Sequence, residues 1–378
     1  MPPLRIAIFA EFPLGAIGGE AEGRGGGQSC TWLPQLARAW EDCREFDIHW
    51  GVFDRTARMP QSVRYWNQTF HRIPCPSITA SLLLGRWPHR RAAQTLIRCV
   101  RPDLIHCWGT ENLYGAALCG FDGPSILSMQ GVITTYCKTG ELNDWRWKLF
   151  RHWELKSILR ATLVTSESQW GLERVAEIVP NKVTRKIEYG VFPSYFDVDW
   201  TPDSGPPRML FVGGLNRLKG VDILLEMLRR HPLRSWKMVF AGGGYLAESL
   251  RELKDPMVEV LGLLKTPQVQ EEMARAWALV MPSRADTSPN VVKEARVIGL
   301  PVVASPHGGH AEYVDHGSDG LMVCSEDPDD WFRALDTLGN DYALCRSMGA
   351  ARHEHFRTYF RPEKTAKAFL DLYREMLE

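Results

Sequence analysis

The sequence lacks an excess of charge of either sign, because 45 lysines and arginines balance 45 aspartates and glutamates. Proteins that attract nucleic acids through their overall field are usually strongly basic. We therefore expect no nucleic-acid partner, and only a local basic cluster could bind a polyanion.

Long apolar runs and paired cysteines are also lacking. The first 20 residues contain one arginine before a short apolar stretch that Glu11 and Pro13 interrupt, so we expect neither a signal peptide nor a membrane-spanning helix. The nine cysteines are scattered and include no Cys-x-x-Cys pair. This distribution indicates reduced thiols in the cytoplasm and argues against a zinc site.

Length and patterning predict two α/β domains. A chain of 378 residues exceeds what one hydrophobic core usually supports. Short aliphatic runs alternate with longer helical patterns, as in doubly wound parallel sheets. The predicted strands are residues 5–10, 46–50, 104–107, 125–129, 163–166 and 186–189 in the first half, and 209–212, 237–241, 258–261, 279–281, 302–305 and 321–323 in the second.

Residues 190–208 show neither helical nor strand periodicity, and they are rich in glycine, proline and aspartate. This composition is typical of an interdomain linker. We place the first domain at residues 1–193 and the second at residues 194–361. Residues 362–378 carry apolar side chains at helical spacing and predict a final helix with one buried face. Open parallel sheets bind ligands at the carboxyl ends of their strands, so two facing sheets would enclose a cleft.

A glycine-rich loop that includes Gly26 and Gly27 follows the first predicted strand and precedes a helical pattern. Glycines let backbone amides approach an anion closely, and the start of a helix adds partial positive charge. The dinucleotide-binding fingerprint is incomplete, because no acidic residue ends a matching second strand. A flexible loop is the alternative explanation.

The second domain opens with a strand that ends at Gly213 and Gly214, followed by a loop with Arg217 and Lys219. Two positive charges in a strand-to-helix loop suit a diphosphate, although they could equally be solvated surface residues. The next predicted strand ends in a second glycine run, around Gly243.

The segment PSRADTSPNVVKEA, residues 282–295, predicts an anion site at a helix start. Ser288 is a favourable N-cap and Pro289 a favourable first residue. The amides of Asn290 and Val291 would then lack intrahelical partners. Glu294, about one turn or 6 Å further along, could accept hydrogen bonds from sugar hydroxyls while these amides hold a phosphate.

These motifs together resemble the family 4 retaining glycosyltransferases, which have the GT-B architecture of two facing Rossmann-like domains. The resemblance is strongest in residues 209–325, where VGG, KG, AGGG, the acid-x7-Glu pair, GLPVVAS and GG-x-x-E follow in the family's order. It implies an enzyme that moves a sugar from a nucleotide diphosphate sugar to an acceptor hydroxyl. It also implies that the final helix returns to the first domain.

The resemblance also implies roles for individual residues. Glu294 would hold the ribose, Asp286 would contact the transferred sugar, and Lys219 would neutralise the diphosphate. The residues expected to bind the donor are Gly26, Gly27, Gly214, Arg217, Lys219, Gly243, Asn290, Val291 and Glu294, and those expected in catalysis are Asp286, Gln130 and Lys219. Gly308, Gly309 and Glu312 match a segment behind the donor.

Three positions depart from the family's pattern. Asp286 stands where glutamate is usual, and Gly214 stands where arginine is usual, so that Arg217 would have to substitute. Gln130 replaces a histidine that often lies near the sugar; glutamine donates hydrogen bonds but carries no proton at neutral pH. No motif supplies a metal site, so we expect metal-independent transfer without a cofactor, with UDP or GDP favoured over ADP in the donor.

The acceptor could be a sugar, a lipid-linked molecule or a small molecule. Residues 85–102 and residues 144–156 combine tryptophans with arginines and lysines, a composition that suits peripheral contact with an anionic membrane. Amphipathic helices packed on a sheet have a similar composition. Two alternatives to a transferase stay open at this point: a nucleotide-sugar epimerase of the same fold, and a catalytically inactive nucleotide-binding relic.

Overall fold

The computed structural model describes residues 3–16, 32–232 and 234–378. The chain forms two compact units, residues 1–190 with 362–378 and residues 191–361. The division therefore falls after Gly190, three residues before the predicted boundary.

The first unit contains an eight-stranded sheet in the order β3-β4-β2-β1-β5-β6-β7-β8. All neighbouring strands are parallel except β3 and β4, which are antiparallel. The strands are β1 (Leu4–Phe9), β2 (Phe46–Asp54), β3 (Gln61–Tyr65), β4 (Gln68–Pro74), β5 (Leu104–Trp108), β6 (Ser125–Met129), β7 (Leu163–Ser166) and β8 (Thr184–Lys186). The helices are α1 (Trp32–Ala39), α2 (Ile78–Leu83), α3 (Trp87–Val100), α4 (Ile133–Tyr136), α5 (Trp145–Arg160) and α6 (Gln169–Ile178), with a last helix described below.

The hairpin of β3 and β4 was missed by the sequence prediction. Its turn residues, Trp66 and Asn67, both have positive φ angles, 48° and 58°. This is the backbone that a two-residue hairpin turn requires. All five residues of β3 are exposed, so the strand has no buried apolar face, and the two apolar residues in QSVRY are too few to predict it.

The second unit contains a six-stranded parallel sheet in the order β11-β10-β9-β12-β13-β14. Its strands are β9 (Arg208–Val212), β10 (Lys237–Ala241), β11 (Val258–Gly262), β12 (Ala278–Met281), β13 (Val302–Ala304) and β14 (Gly320–Met322). Its helices are α7 (Val221–Arg230), α8 (Ala247–Arg251), α9 (Thr266–Arg275), α10 (Asn290–Ile298), α11 (Pro328–Gly339), α12 (Tyr342–Ala350) and α13 (His353–Tyr359). The strands β9 and β12 are fully buried, as expected for a sheet covered on both faces.

The last helix, α14 (Pro362–Leu377), packs in the core of the first unit. The indole of Trp40 donates to the carbonyl of Ala366 at 3.0 Å. The hydroxyl of Tyr373 lies 2.8 Å from Nδ1 of the buried His106. These contacts join α14 to β5 and to Trp40, the residue that follows α1. No helix in the described part of the chain is both long and apolar enough to cross a membrane.

Candidate functional site

Two glycine turns lie side by side at the carboxyl ends of β9 and β10. The amide of Gly213 donates to the carbonyl of Ala241 at 2.9 Å, and that of Leu215 donates to Gly243 at 2.9 Å. Gly242 has φ +152°, and a Cβ there would stand 1.8 Å from the carbonyl oxygen of Gly213. Only glycine allows this approach of two backbones. The contact therefore holds the two turns side by side at the ends of β9 and β10.

The loop of Lys219 is joined to the loop that precedes α10. Gly220 has φ +73°, and a Cβ there would lie 2.0 Å from the carbonyl oxygen of Pro282. The amide of Arg284 donates to the carbonyl of Leu218 at 2.9 Å. The Lys-Gly pair is therefore needed for its glycine as well as its charge, because the glycine brings the two loops together.

The side chains of Lys219 and Asp286 form an ion pair in this structure. The carboxylate of Asp286 is nearly buried, whereas about a quarter of the Lys219 side chain is exposed, at 26%. The backbone carbonyl of Asp286 accepts from the amide of Gly309 at 2.9 Å. The Gly308-Gly309 motif thus fixes the backbone of Asp286, while the carboxylate holds the lysine.

The helix α10 begins at Asn290, with Pro289 as its N-cap. The predicted start, with Ser288 as the cap and Pro289 inside the helix, was wrong by one residue. Pro289 has ψ 120°, an extended conformation outside the helix, and the hydroxyl of Ser288 lies 3.2 Å from that of Tyr313. Asn290 and Val291 still occupy the first turn, where an α-helix provides no carbonyl acceptor for its amides.

Glu294 lies one turn along α10 and is hydrogen-bonded to the hydroxyl of Tyr195. Burial raises the pKa of Glu294 to about 7, while the hydroxyl of Tyr195 and the nearby charge of Lys293 oppose this rise. Tyr195 was missed by the sequence analysis, since it belongs to the short 3₁₀ helix Pro193–Asp197 within the predicted linker. Its only sequence signal is the pair of aromatic residues at 195 and 196.

Two arginines near this site have different surroundings. The guanidinium of Arg284 makes paired contacts with Asp222, at 2.6 and 3.0 Å, and with Glu326, at 3.0 and 2.9 Å. Arg217 is 62% exposed and its Nε lies 4.0 Å from Asp222. Arg284 therefore joins the loop to Asp222 and Glu326, whereas Arg217 is largely exposed and makes the longer contact with Asp222.

Gln130 lies in the first unit, directly after β6. A Cβ on Gly109, which follows β5, would stand 3.0 Å from Oε1 of Gln130 and 2.7 Å from Oε2 of Glu111. Both side chains therefore lie over the same glycine. The carboxylate of Glu111 accepts from the amide of Thr110 at 2.8 Å, and burial raises its pKa to about 7.

A second buried carboxylate, Glu154 on α5, supports the same region. It accepts from the amides of Ile133 and Thr134 at 2.8 and 2.9 Å. Glu111 and Glu154 were both missed by the sequence analysis, because no spacing in the chain connects them to Gln130. Together they fix the loops after β5 and β6 that carry it.

The second unit thus brings together Lys219, Asp286, the first turn of α10 and Glu294, and it places Gly214 and Gly243 at the adjacent strand ends. Gln130 belongs to the other unit. Gly26 and Gly27 lie outside the described residues. Within the described ranges, no cluster of three or more histidines, cysteines, aspartates or glutamates is placed to hold a metal ion.

Residues 206–341 match the family model of the glycosyl transferases group 1. The chain is 35% identical over 181 residues to a D-inositol 3-phosphate glycosyltransferase of Corynebacterium jeikeium, an alignment that covers 44% of this chain and 43% of that protein. It is 29% identical over 185 residues to the protein of the same description in Corynebacterium kroppenstedtii, with 44% and 40% covered. The chain therefore spans less than half the length of these curated relatives.

Solved structures resemble nearly the whole chain. Sucrose-phosphate synthase from Thermosynechococcus elongatus has a TM-score of 0.81 at 18% identity, with 99% of both chains covered. Anabaena HepE in complex with UDP and glucose has a TM-score of 0.68 at 15% identity, with 98% of this chain and 99% of that chain covered. At such identities the likeness concerns the fold alone. The predicted fold class, the two-domain α/β architecture of GT-B glycosyltransferases, is confirmed.

Proposed function

We propose that the chain transfers a sugar from a nucleotide diphosphate sugar to an acceptor hydroxyl. The match of residues 206–341 to the family model of the glycosyl transferases group 1 and the predicted resemblance to family 4 support this proposal. One observation carries the proposal. A lysine, a buried aspartate, a helix start and a partly buried glutamate converge at the carboxyl edge of the sheet in the second unit. This combination offers separate partners for phosphate, sugar and ribose.

The proposed donor position follows from the chemistry of these groups. The ribose hydroxyls donate to the carboxylate of Glu294, and the diphosphate accepts from the amides of Asn290 and Val291. Lys219 exchanges its contact with Asp286 for a phosphate oxygen. The released Asp286 then accepts from a hydroxyl of the sugar, so that donor binding replaces one ion pair by two contacts to ligand.

We propose that transfer proceeds with retention and without a metal ion. The bond between the anomeric carbon and the leaving phosphate oxygen breaks, and a bond to the acceptor oxygen forms on the same face. The acceptor's proton moves to the leaving phosphate oxygen. Lys219 and the first-turn amides stabilise the developing diphosphate charge, Arg217 is free to add to them, and Gln130 orients the sugar by hydrogen bonding.

The donor and acceptor classes are further parts of the proposal. We favour UDP or GDP over ADP in the donor, and the complex of HepE with UDP and glucose supports a uridine nucleotide. The acceptor is a sugar, a lipid-linked molecule or a small molecule, and the relatives named for D-inositol 3-phosphate support a phosphorylated polyol. We place the protein in the cytoplasm, with peripheral membrane contact through the exposed Leu83, Leu84 and Trp87.

Thermal unfolding in the presence of UDP-, GDP- and ADP-sugars tests the donor site. We expect the sugars of one nucleotide to raise the melting temperature of the wild type. Glu294→Gln should weaken the binding of that nucleotide roughly 10- to 100-fold, because it removes a hydrogen bond to a charged group. Glu354→Gln, at a position 90% exposed on α13, is the matched control.

The same nucleotide sugars separate the two alternatives from a transferase. Conversion of the sugar in the absence of any acceptor would identify an epimerase. Nucleotide binding without transfer to any hydroxyl acceptor in a broad panel would identify an inactive relic. Absence of stabilisation by every nucleotide would contradict the proposed donor site.

A further inference from the structure

An open cavity of about 400 Å³ lies at the surface of the first unit, among α4, α5, α6 and the residues between α4 and α5. The helix α5 contributes Lys148, Arg151, His152 and Leu155 to its lining. These positions are separated by three, four and seven residues and therefore share one face of the helix. The volume is in the range of cavities that bind small ligands.

The lining carries excess positive charge. Among the described residues, neither Lys148 nor Arg151 has an ion-pair partner. The carboxylate in the lining, Glu177, already has two cations, since Lys138 lies 3.4 Å and Arg174 2.9 Å from its oxygens. Lys148 and Arg151 are both exposed to solvent, so their charges are hydrated at the mouth of the cavity and, within the described residues, no carboxylate of its lining is left to pair with them.

The residue types suit one class of ligand. A guanidinium presents paired donors that match phosphate oxygens, and an ammonium adds a point charge. Thr135 supplies a hydroxyl to the lining, whereas Leu155 and Ile178 provide apolar walls. A phosphate attached to a small organic group satisfies both parts of this lining better than a bare inorganic anion.

We propose that this cavity binds the phosphate group of a phosphorylated ligand, with Lys148 and Arg151 as its principal contacts. Thr134 and Thr135 in the lining follow Gln130 by a few residues on the same segment. The ligand is therefore assigned as the acceptor. That assignment rests on the function proposed above, whereas phosphate binding itself does not depend on it.

The exposed Trp145 adds a second feature to the same surface. Its side chain is 48% exposed, and it precedes Lys148 by three residues and His152 by seven on α5. Tryptophan beside basic residues is typical of proteins that contact the headgroup region of a membrane. The phosphate could accordingly belong to a lipid headgroup or to a soluble polyol phosphate, and the two sources are separated by experiment.

The test measures binding without a donor. The soluble probe is inositol 3-phosphate, with inositol as its phosphate-free counterpart, followed by calorimetry. The lipid probe is a phosphatidylcholine vesicle with or without phosphatidylglycerol, followed by flotation. The variants are Lys148→Gln, Arg151→Gln and the double variant, and the control is Lys156→Gln, an exposed residue of α5 outside the lining.

We expect one phosphate probe to bind the wild type and its phosphate-free or zwitterionic counterpart to bind weakly. Each single variant should weaken binding about tenfold, as for loss of one charge-assisted contact, with Lys156→Gln near the wild type. Binding of inositol 3-phosphate alone assigns a soluble ligand, and binding of phosphatidylglycerol vesicles alone assigns a lipid.

Failure of both probes to bind would overturn the proposal, as would equal losses in Lys148→Gln and Lys156→Gln. Each variant is first compared with the wild type for its melting temperature and for the thermal shift that the nucleotide produces. A variant that keeps the nucleotide shift but loses phosphate binding supports the cavity. A wild type that binds phosphate but no nucleotide contradicts the proposed function and leaves the cavity intact.

Discussion

The ammonium of Lys219 is held by the carboxylate of Asp286. One of these groups is proposed for the diphosphate of the donor and the other for its sugar. In this structure they neutralise each other, and the proposed donor site requires Lys219 to leave Asp286 before it binds phosphate. The proposal thereby couples donor binding to the sugar contact through a single ion pair.

Asp286→Asn separates the two roles. We expect turnover of the matching nucleotide sugar to fall roughly 10- to 100-fold, because the sugar loses a charged acceptor. Affinity for the nucleotide diphosphate, which carries no sugar, should be unchanged or higher, because Lys219 is released. Kinetics and calorimetry measure the two quantities, with Asp330→Asn on α11 as the control. A parallel loss of nucleotide diphosphate affinity would show that Asp286 does not contact the sugar selectively.

Nucleotide affinity should depend on pH through Glu294. With its pKa raised to about 7 by burial, Glu294 is largely protonated in the free protein below that pH, whereas accepting two ribose hydroxyls requires the carboxylate. We expect the dissociation constant to rise by up to about tenfold per pH unit below pH 7, and to level off above pH 7. Titrations in buffers of different ionisation enthalpy should show proton release near pH 6. A pH-dependent affinity retained in Glu294→Gln would assign the titration to another group.

The close contact between Gly220 and the backbone of Pro282 can be tested by comparison with Gly317, a glycine of similar backbone conformation. Gly220 and Gly317 have φ +73° and +79°, but a Cβ on Gly317 would meet nothing within 4 Å. Gly317→Ala should cost about 1–2 kcal/mol of unfolding free energy for the left-handed conformation alone. Gly220→Ala should cost clearly more, because its Cβ collides with the backbone of Pro282, and should also weaken nucleotide binding. Denaturant unfolding gives both values, and equal costs would contradict the contact between the two loops.

The first unit should lose stability in mild acid. Burial lowers the pKa of His106 to about 3 and, with the nearby charge of Arg86, that of His89 to about 4. A histidine whose pKa is lower in the folded than in the unfolded state stabilises the fold above about pH 6.5 and loses this contribution as pH falls toward 4. His106→Asn should destabilise the protein at neutral pH, since His106 contacts Tyr373 and Ser128 at 2.8 and 2.7 Å.

Melting temperatures between pH 7.5 and pH 4.5 check this prediction. The fall in stability with acid should be smaller in His106→Asn than in the wild type. The exposed His355→Asn should follow the wild-type curve. If His106→Asn and the wild type lost equal stability over this range, the acid sensitivity would have to come from other groups.

Much of the fold could be predicted because each parallel strand and each helix has its own local sequence pattern. The run at residues 209–212 became β9 (Arg208–Val212), and that at 237–241 became β10 with the same bounds. The exposed strand β3 has no such pattern, and the register of its hairpin with β4 depends on a turn conformation. The start of α10 was wrong by one residue, because Ser288 contacts Tyr313 rather than the helix.

The sequence by itself determined the fold class and the resemblance to family 4 glycosyltransferases, through glycines, acids and a lysine whose order reflects local backbone and charge requirements. It also placed Glu294 one turn from a helix start. The tertiary structure alone decided that Lys219 meets Asp286, 67 residues away, that Tyr195 meets Glu294, and that Glu111 and Glu154 support the loops near Gln130. Such contacts join segments that only the folded sheets bring together, so no spacing along the chain records them.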